Sequence, residues 1–134
     1  MLVPTICFQG NCDEAINFYK EAVGAEVKVI NYLKDAPQGF TMKGFSEPNH
    51  VLNSDVVICG TTVAMLDGGT AQITGEYFTF TLFVDSAEEA RTVFDKLAEG
   101  GKVIGALAPQ FWAELCGDVE DKFGINWHIC KAVY

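Results

Sequence analysis

Chemistry near neutral pH falls first to the two histidines, His50 and His128, because imidazole titrates in that range and also ligates metals. His128 stands in Ile125-Asn126-Trp127-His128-Ile129-Cys130. A two-residue strand period there puts Asn126, His128 and Cys130 on one face and Ile125, Trp127 and Ile129 on the other. On that first face His128 reads either as a hydrogen-bonded structural histidine or as a ligand-contacting group able to act as acid or base. His50 follows Pro48-Asn49 in a loop-to-strand transition and reads as a solvated loop residue sooner than as a metal ligand. Glu114, beyond Phe111-Trp112, and Glu76, beside Tyr77, read as surface charges or packing residues sooner than as catalytic groups. The run Asp67-Gly68-Gly69-Thr70 lacks the Lys-Ser/Thr pair and following helix of a phosphate cradle, so it reads as a turn. No Ser-His-Asp or Cys-His constellation follows from linear spacing.

Five cysteines stand at positions 7, 12, 59, 116 and 130. The count is odd and no Cys-x-x-Cys pair occurs, so neither a disulfide framework nor a zinc-thiolate site is indicated. Cys7, Cys59 and Cys130 fall in strand-like runs, where small buried hydrophobes are expected. Cys12 falls in a first helical turn, where the helix dipole can lower a thiol pKa, but no base lies near it in sequence.

An internal repeat positions these residues. Asn11-Cys-Asp-Glu14 and Ser86-Ala-Glu-Glu89 both read as capping boxes, 75 residues apart. Apolar stripes follow each: Ala15, Ile16, Phe18, Tyr19, Ala22 and Val23, then Ala90, Val93, Phe94, Leu97 and Ala98. Each helix ends at glycine, Gly24 or Gly100-Gly101. A strand precedes each (2–9 and 77–85), and three follow each: 26–33, 52–59 and 61–66, then 102–107, 111–117 and 125–132. Two βαβββ modules, about 1–67 and 76–134, make one α+β domain of 134 residues. That length buries roughly 65–70% of the unfolded surface.

Two such modules are expected to form a curved mixed sheet around a cavity, with helices on the outer face. Phe78, Phe80, Leu82 and Val84 then pack under a helix, and Tyr77, Thr79, Thr81 and Phe83 face inward. Val63 and Met65 match Trp127 and Ile129, so Ala64 takes the place of His128 in the first module. The expected ligand-binding set is therefore Thr79, Thr81, Phe83, Asn126, His128 and Ala64. Hydroxyl, amide and imidazole groups in apolar walls suit a small organic ligand.

The formal charge is −9, from 18 acidic residues against eight Lys and one Arg. The basic residues are scattered singly, so the electrostatic footprint of a nucleic-acid binder is missing. The one Arg, Arg91, lies on the second helix, and a strongly anionic ligand would lack a bidentate cationic clamp. Acidity suits a neutral or cationic ligand. No apolar run approaches the ~18 residues of a membrane span. The opening Met1-Leu-Val-Pro-Thr-Ile-Cys-Phe8 lacks a signal peptide's basic start and cleavage site, so a cytoplasmic protein is expected.

Phe8-Gln-Gly-Asn-Cys-Asp-Glu-Ala-Ile-Asn-Phe-Tyr19, Gly60-Thr-Thr-Val-Ala-Met-Leu-Asp67, and Phe111 to Ile129 with its turn Asp121-Lys-Phe-Gly124 together resemble PhnB-like proteins. These belong to the vicinal oxygen chelate superfamily, which includes glyoxalase I, extradiol dioxygenases and bleomycin-resistance proteins. The resemblance implies the glyoxalase/bleomycin-resistance fold and, together with sheet edges that need cover, a homodimer. Metal-using relatives draw His, Glu or Gln ligands from positions that fall here at Val3 or Pro4, Ala64, Thr79 and His128. Only His128 is a metal-binding type. PhnB-like chains often carry His where Ser54 opens Ser-Asp-Val-Val-Ile-Cys-Gly60. The departures point to a metal-independent, cofactor-free module that binds a small organic molecule. The alternative is a metal-dependent lyase, isomerase, dioxygenase or thiol transferase using His128 with His50 or Glu114. A methyltransferase reading, sometimes attached to PhnB-like chains, finds no Gly-rich nucleotide loop after a first strand.

Overall fold

The computed structural model describes residues 1–70 and 78–133. Two compact units divide the chain, Met1–Gln72 and Ile73–Tyr134. The first contains β1 (Thr5–Phe8), α1 (Cys12–Val23), β2 (Glu26–Tyr32), β3 (Val51–Ile58) and β4 (Thr61–Asp67). The second contains β5 (Thr79–Phe83), α2 (Ala87–Ala98), β6 (Lys102–Gln110), β7 (Ala113–Glu120) and β8 (Asn126–Ala132). Each is a βαβββ module with one four-stranded mixed sheet, ordered β1-β4-β3-β2 in the first and β5-β8-β7-β6 in the second. The first strand of each pairs parallel with the last, and the other pairs are antiparallel. No helix among the described residues is long and apolar enough to cross a membrane.

Helix periodicity buries one stripe of each helix: Cys12, Ala15, Ile16, Tyr19 and Ala22 in α1, and Ala90, Phe94 and Leu97 in α2. Burying each large apolar side chain stabilises its unit by roughly 1.5–3 kcal/mol. The central strands supply the other half of each core, Val63 and Met65 from β4 and Trp127 and Ile129 from β8. At Gly117 of β7 a Cβ would lie 2.8 Å from the Phe94 ring, so glycine lets α2 approach the sheet closely.

The structure corrects several expectations. β1 starts at Thr5 and β5 at Thr79; Pro4 has no N–H for a ladder, though its carbonyl accepts from Ala64 at 2.9 Å. Phe78 precedes β5 and is exposed, packing edge-to-face on Phe80 instead of under a helix. Phe111 and Trp112 form the exposed β6–β7 turn, because β6 runs on to Gln110 and β7 begins at Ala113. Tyr77 and Glu76 lie outside the described residues. Cys7 and Cys59 are exposed rather than buried; Cys59 belongs to the β3–β4 turn, with φ of 48°.

The helix caps differ from each other. Ser86 accepts from the Glu89 N–H at 3.0 Å, and the Glu89 carboxylate reaches back to the Asp85 N–H at 3.1 Å. Asn11, by contrast, makes no side-chain cap bond. Its Oδ1 accepts from Gln9, and Asp67 at the end of β4 takes the capping role. Asp67 Oδ1 accepts from Gly10 and Cys12 at 2.8 and 3.1 Å, and its Oδ2 accepts from Val51 at 2.8 Å. One buried carboxylate thus ties the start of α1 and the start of β3 to the end of β4.

Candidate functional site

The register of the second sheet gathers side chains into three rows on the face opposite α2. Parallel pairing sets Thr79 beside Asn126, Thr81 beside His128 and Phe83 beside Cys130. Antiparallel pairing continues these rows to Glu120, Asp118 and Cys116 on β7. Trp127 and Ile129 alternate onto the buried α2 side. Thr79, Thr81, Phe83, Asn126 and His128 therefore share one face. Ala64 lies in the first unit, between Thr5 and Asp55 in the corresponding register.

The middle row joins an imidazole to a carboxylate. His128 Nδ1 lies 2.7 Å from Asp118 Oδ1. An ionised carboxylate only accepts hydrogen bonds, so Nδ1 is the donor of this pair, and the tautomer that suits a neutral ring leaves the lone pair on Nε2. A carboxylate that fixes the tautomer of a neighbouring imidazole prepares the second nitrogen to receive a proton or a hydrogen bond. The His128 side chain is 27% exposed and that of Asp118 48%, so solvent reaches the pair.

Asp118 was not among the expected site residues, yet the turn contained the signal. A hairpin closed around Asp121–Gly124 pairs residues whose numbers sum to 246, and 118 meets 128 by that count. The first unit has the same frame without the imidazole: Asp55 faces Ala64.

A pocket of about 300 Å³ adjoins this face, lined by Thr79, Ile104, Asp118, Val119, Asn126 and Trp127. It takes in Thr79 and Asn126 of the expected set, while Thr81, Phe83 and His128 stand outside its lining. Asn126 is buried and donates to the Phe78 carbonyl at 3.5 Å, a long bond. Glu120 in the same row is drawn to Lys102, 3.5 Å away.

The remaining candidates are explained by structure. His50 Nδ1 accepts from the Glu47 N–H at 3.0 Å, and its ring meets Phe45 edge-on at 5.3 Å. It is a loop-organising residue with one nitrogen engaged. Glu114 lies 3.6 Å from Lys131 as a half-exposed ion pair. The Cys12 thiol is pushed well up by burial and then by the nearby Asp67 charge, the opposite of a helix-start activation.

The donor set does not fit a resident metal. Val3, Pro4, Ala64 and Thr79 offer no imidazole or carboxylate to join His128. Among the described residues no group of three or more His, Cys, Asp or Glu could hold an ion.

Residues 1–130 match the family described as 3-demethylubiquinone-9 3-methyltransferase. The chain is 34% identical to Protein YjdN of Escherichia coli over 140 aligned positions, 96% of this chain and 92% of that protein. A solved structure titled putative 3-demethylubiquinone-9 3-methyltransferase, PhnB protein, from Bacillus cereus superposes with a TM-score of 0.81 at 22% identity, covering 98% of each chain. The fosfomycin resistance protein FosX of Listeria monocytogenes, complexed with Mn(II) and a dihydroxypropylphosphonic acid, shares the fold. Its TM-score is 0.70 at 12% identity over 99% of this chain and 92% of that one. The chain belongs to this PhnB-like family and has the glyoxalase/bleomycin-resistance fold.

Proposed function

We propose that the α2-distal face of the second sheet binds a small neutral or cationic organic molecule without a resident metal. The observation that carries this reading is the Asp118–His128 pair, 2.7 Å apart, beside a pocket that Asp118 itself lines. Nε2 of His128 offers an acceptor, Thr79, Thr81 and Asn126 supply further polar contacts, and Phe83 supplies exposed apolar area. The Asp118 carboxylate favours a neutral or cationic ligand on this face, and no arginine stands on it to clamp an anion. FosX binds its phosphonic acid in a structure that also holds Mn(II); the positions corresponding to metal ligands here are chiefly aliphatic or hydroxylic. A homodimer accompanies this reading, because each sheet leaves outer edges to be covered.

A thermal-shift screen tests it. Neutral heteroaromatics and organic amines should raise the melting temperature, and phosphonates such as fosfomycin should not. The rise should shrink in His128→Ala and Thr79→Val. A reproducible shift with fosfomycin, or one tightly held Zn, Ni, Mn or Fe per chain in untagged protein prepared without chelators, would overturn the metal-free reading. Light scattering at micromolar concentration checks the dimer.

A further inference from the structure

The third row of the same face sets Cys116 of β7 directly opposite Cys130 of β8. Hydrogen bonding at the hairpin turn shows which kind of pair this is. The Asp121 N–H donates to the Ile125 carbonyl at 2.8 Å, so residues 121 and 125 form a hydrogen-bonded pair. Pair types alternate along an antiparallel ladder. The pairs 120/126, 118/128 and 116/130 are therefore non-hydrogen-bonded, with Cα atoms about 4.5 Å apart and side chains at their closest. The 2.7 Å contact of Asp118 with His128, one row away, reflects that closeness. Disulfides bridge Cα separations of roughly 4.4–6.8 Å, a range that includes this type of pair. Both thiols are buried, in an apolar cluster with Ala113.

We propose that Cys116 and Cys130 are an oxidative modification site, a cross-strand dithiol that a small uncharged peroxide closes into a disulfide. One thiol, as its thiolate, attacks the peroxide oxygen and becomes a sulfenic acid, releasing water. The other then attacks that sulfur, forming the S–S bond and releasing a second water. Two electrons and two protons leave the cysteine pair, and the peroxide takes them up. Burial, and next the neighbouring Cys130, push the Cys116 thiol up, while the Trp112 indole N–H donating to it acts in the opposite sense. The first step is accordingly slow at neutral pH and faster as pH rises. The bond would lock β7 to β8 about 6.6 Å from the Asp118–His128 row, two residues along each strand.

The test compares folded and urea-unfolded chain. Cys7 and Cys59 are first alkylated in the folded protein, which is then exposed to hydrogen peroxide at mildly alkaline pH. Remaining thiols are labelled after denaturation and the peptides are mapped. The expected result is a loss of about 2 Da, one peptide pair joined through Cys116 and Cys130, reversal by dithiothreitol, and a raised melting temperature. The folded chain should give the single Cys116–Cys130 linkage, against mixed pairings that include Cys12 in urea, and Cys116→Ser and Cys130→Ser should each abolish it. Separate Cys116 and Cys130 thiols in the folded protein, under exposure that joins them in urea, would overturn the proposal. So would oxidation that stops at sulfinic acid on either residue.

Discussion

Trp127 donates its indole N–H to Oδ2 of Asp121 at 2.9 Å, across the turn that joins β7 to β8. Asp121 is buried, and its Oδ1 accepts from Phe123 and Ile125 at 2.9 and 3.0 Å. Gly124, at φ of 87°, lets the chain return, and its N–H closes on the Asp121 carbonyl. This turn sets the β7–β8 register, and with it the meeting of Asp118 and His128.

Trp127 should therefore be a leading contributor to stability. Trp127→Ala empties a core site and should cost about 3–5 kcal/mol. Trp127→Phe keeps an aromatic ring, with less volume, and withdraws the indole donor from Asp121, for about 1–3 kcal/mol. Urea unfolding measures both. An alanine variant as stable as the parent would contradict the placement of this side chain in the α2 core.

The two helix starts should respond differently to mutation. Ser86→Ala removes a working cap and should cost about 1 kcal/mol. Asn11→Ala removes none and should cost only a few tenths on the same scale. Asp67→Ala strands the N–H groups of Gly10, Cys12 and Val51 and should cost about 3 kcal/mol or more. Equal losses for Asn11→Ala and Asp67→Ala in urea melts would contradict the capping role of Asp67.

Alkaline pH should probe Tyr32. Its hydroxyl donates to Asp13 at 2.7 Å. That hydrogen bond, followed by partial burial and the Asp13 charge, raises the phenol from 10.0 to about 12. The folded state then holds this proton more tightly than the unfolded chain does. The contribution is fully present below pH 10, and stability falls as pH rises through about 12. Urea midpoints between those values should fall less in Tyr32→Phe than in the parent; parallel decline in both proteins would dissociate the loss from this phenol.

Thiol reactivity should sort by exposure. Cys7 and Cys59 are exposed, while Cys12 is fully buried with its thiol pushed up by desolvation and Asp67. Iodoacetamide at neutral pH should label the first two in the folded protein and reach Cys12 only on unfolding. Peptide mapping that finds early Cys12 labelling would contradict the packing of α1.

Local pattern determined the repeat, both helices, the central strands and the side each residue of β8 presents, because strand and helix periods are written in consecutive residues. The shared face of Thr79, Thr81 and Phe83, and of Asn126 with His128, was legible for the same reason. Partnerships across the sheet were not. Asp118 reaches His128 only through β7–β8 register, and Asp67 reaches the α1 start only because β4 ends beside it. Asn11 shows the limit clearly: its sequence context fits a cap, but a carboxylate 56 positions away along the chain occupies that role. Cys7 and Cys59 reached the surface although their neighbours read as strand, since burial depends on what covers a strand or turn. Hydrogen-bond partners distant in sequence are selected by the packed tertiary arrangement, where an unmet buried donor costs about as much as a whole helix cap contributes.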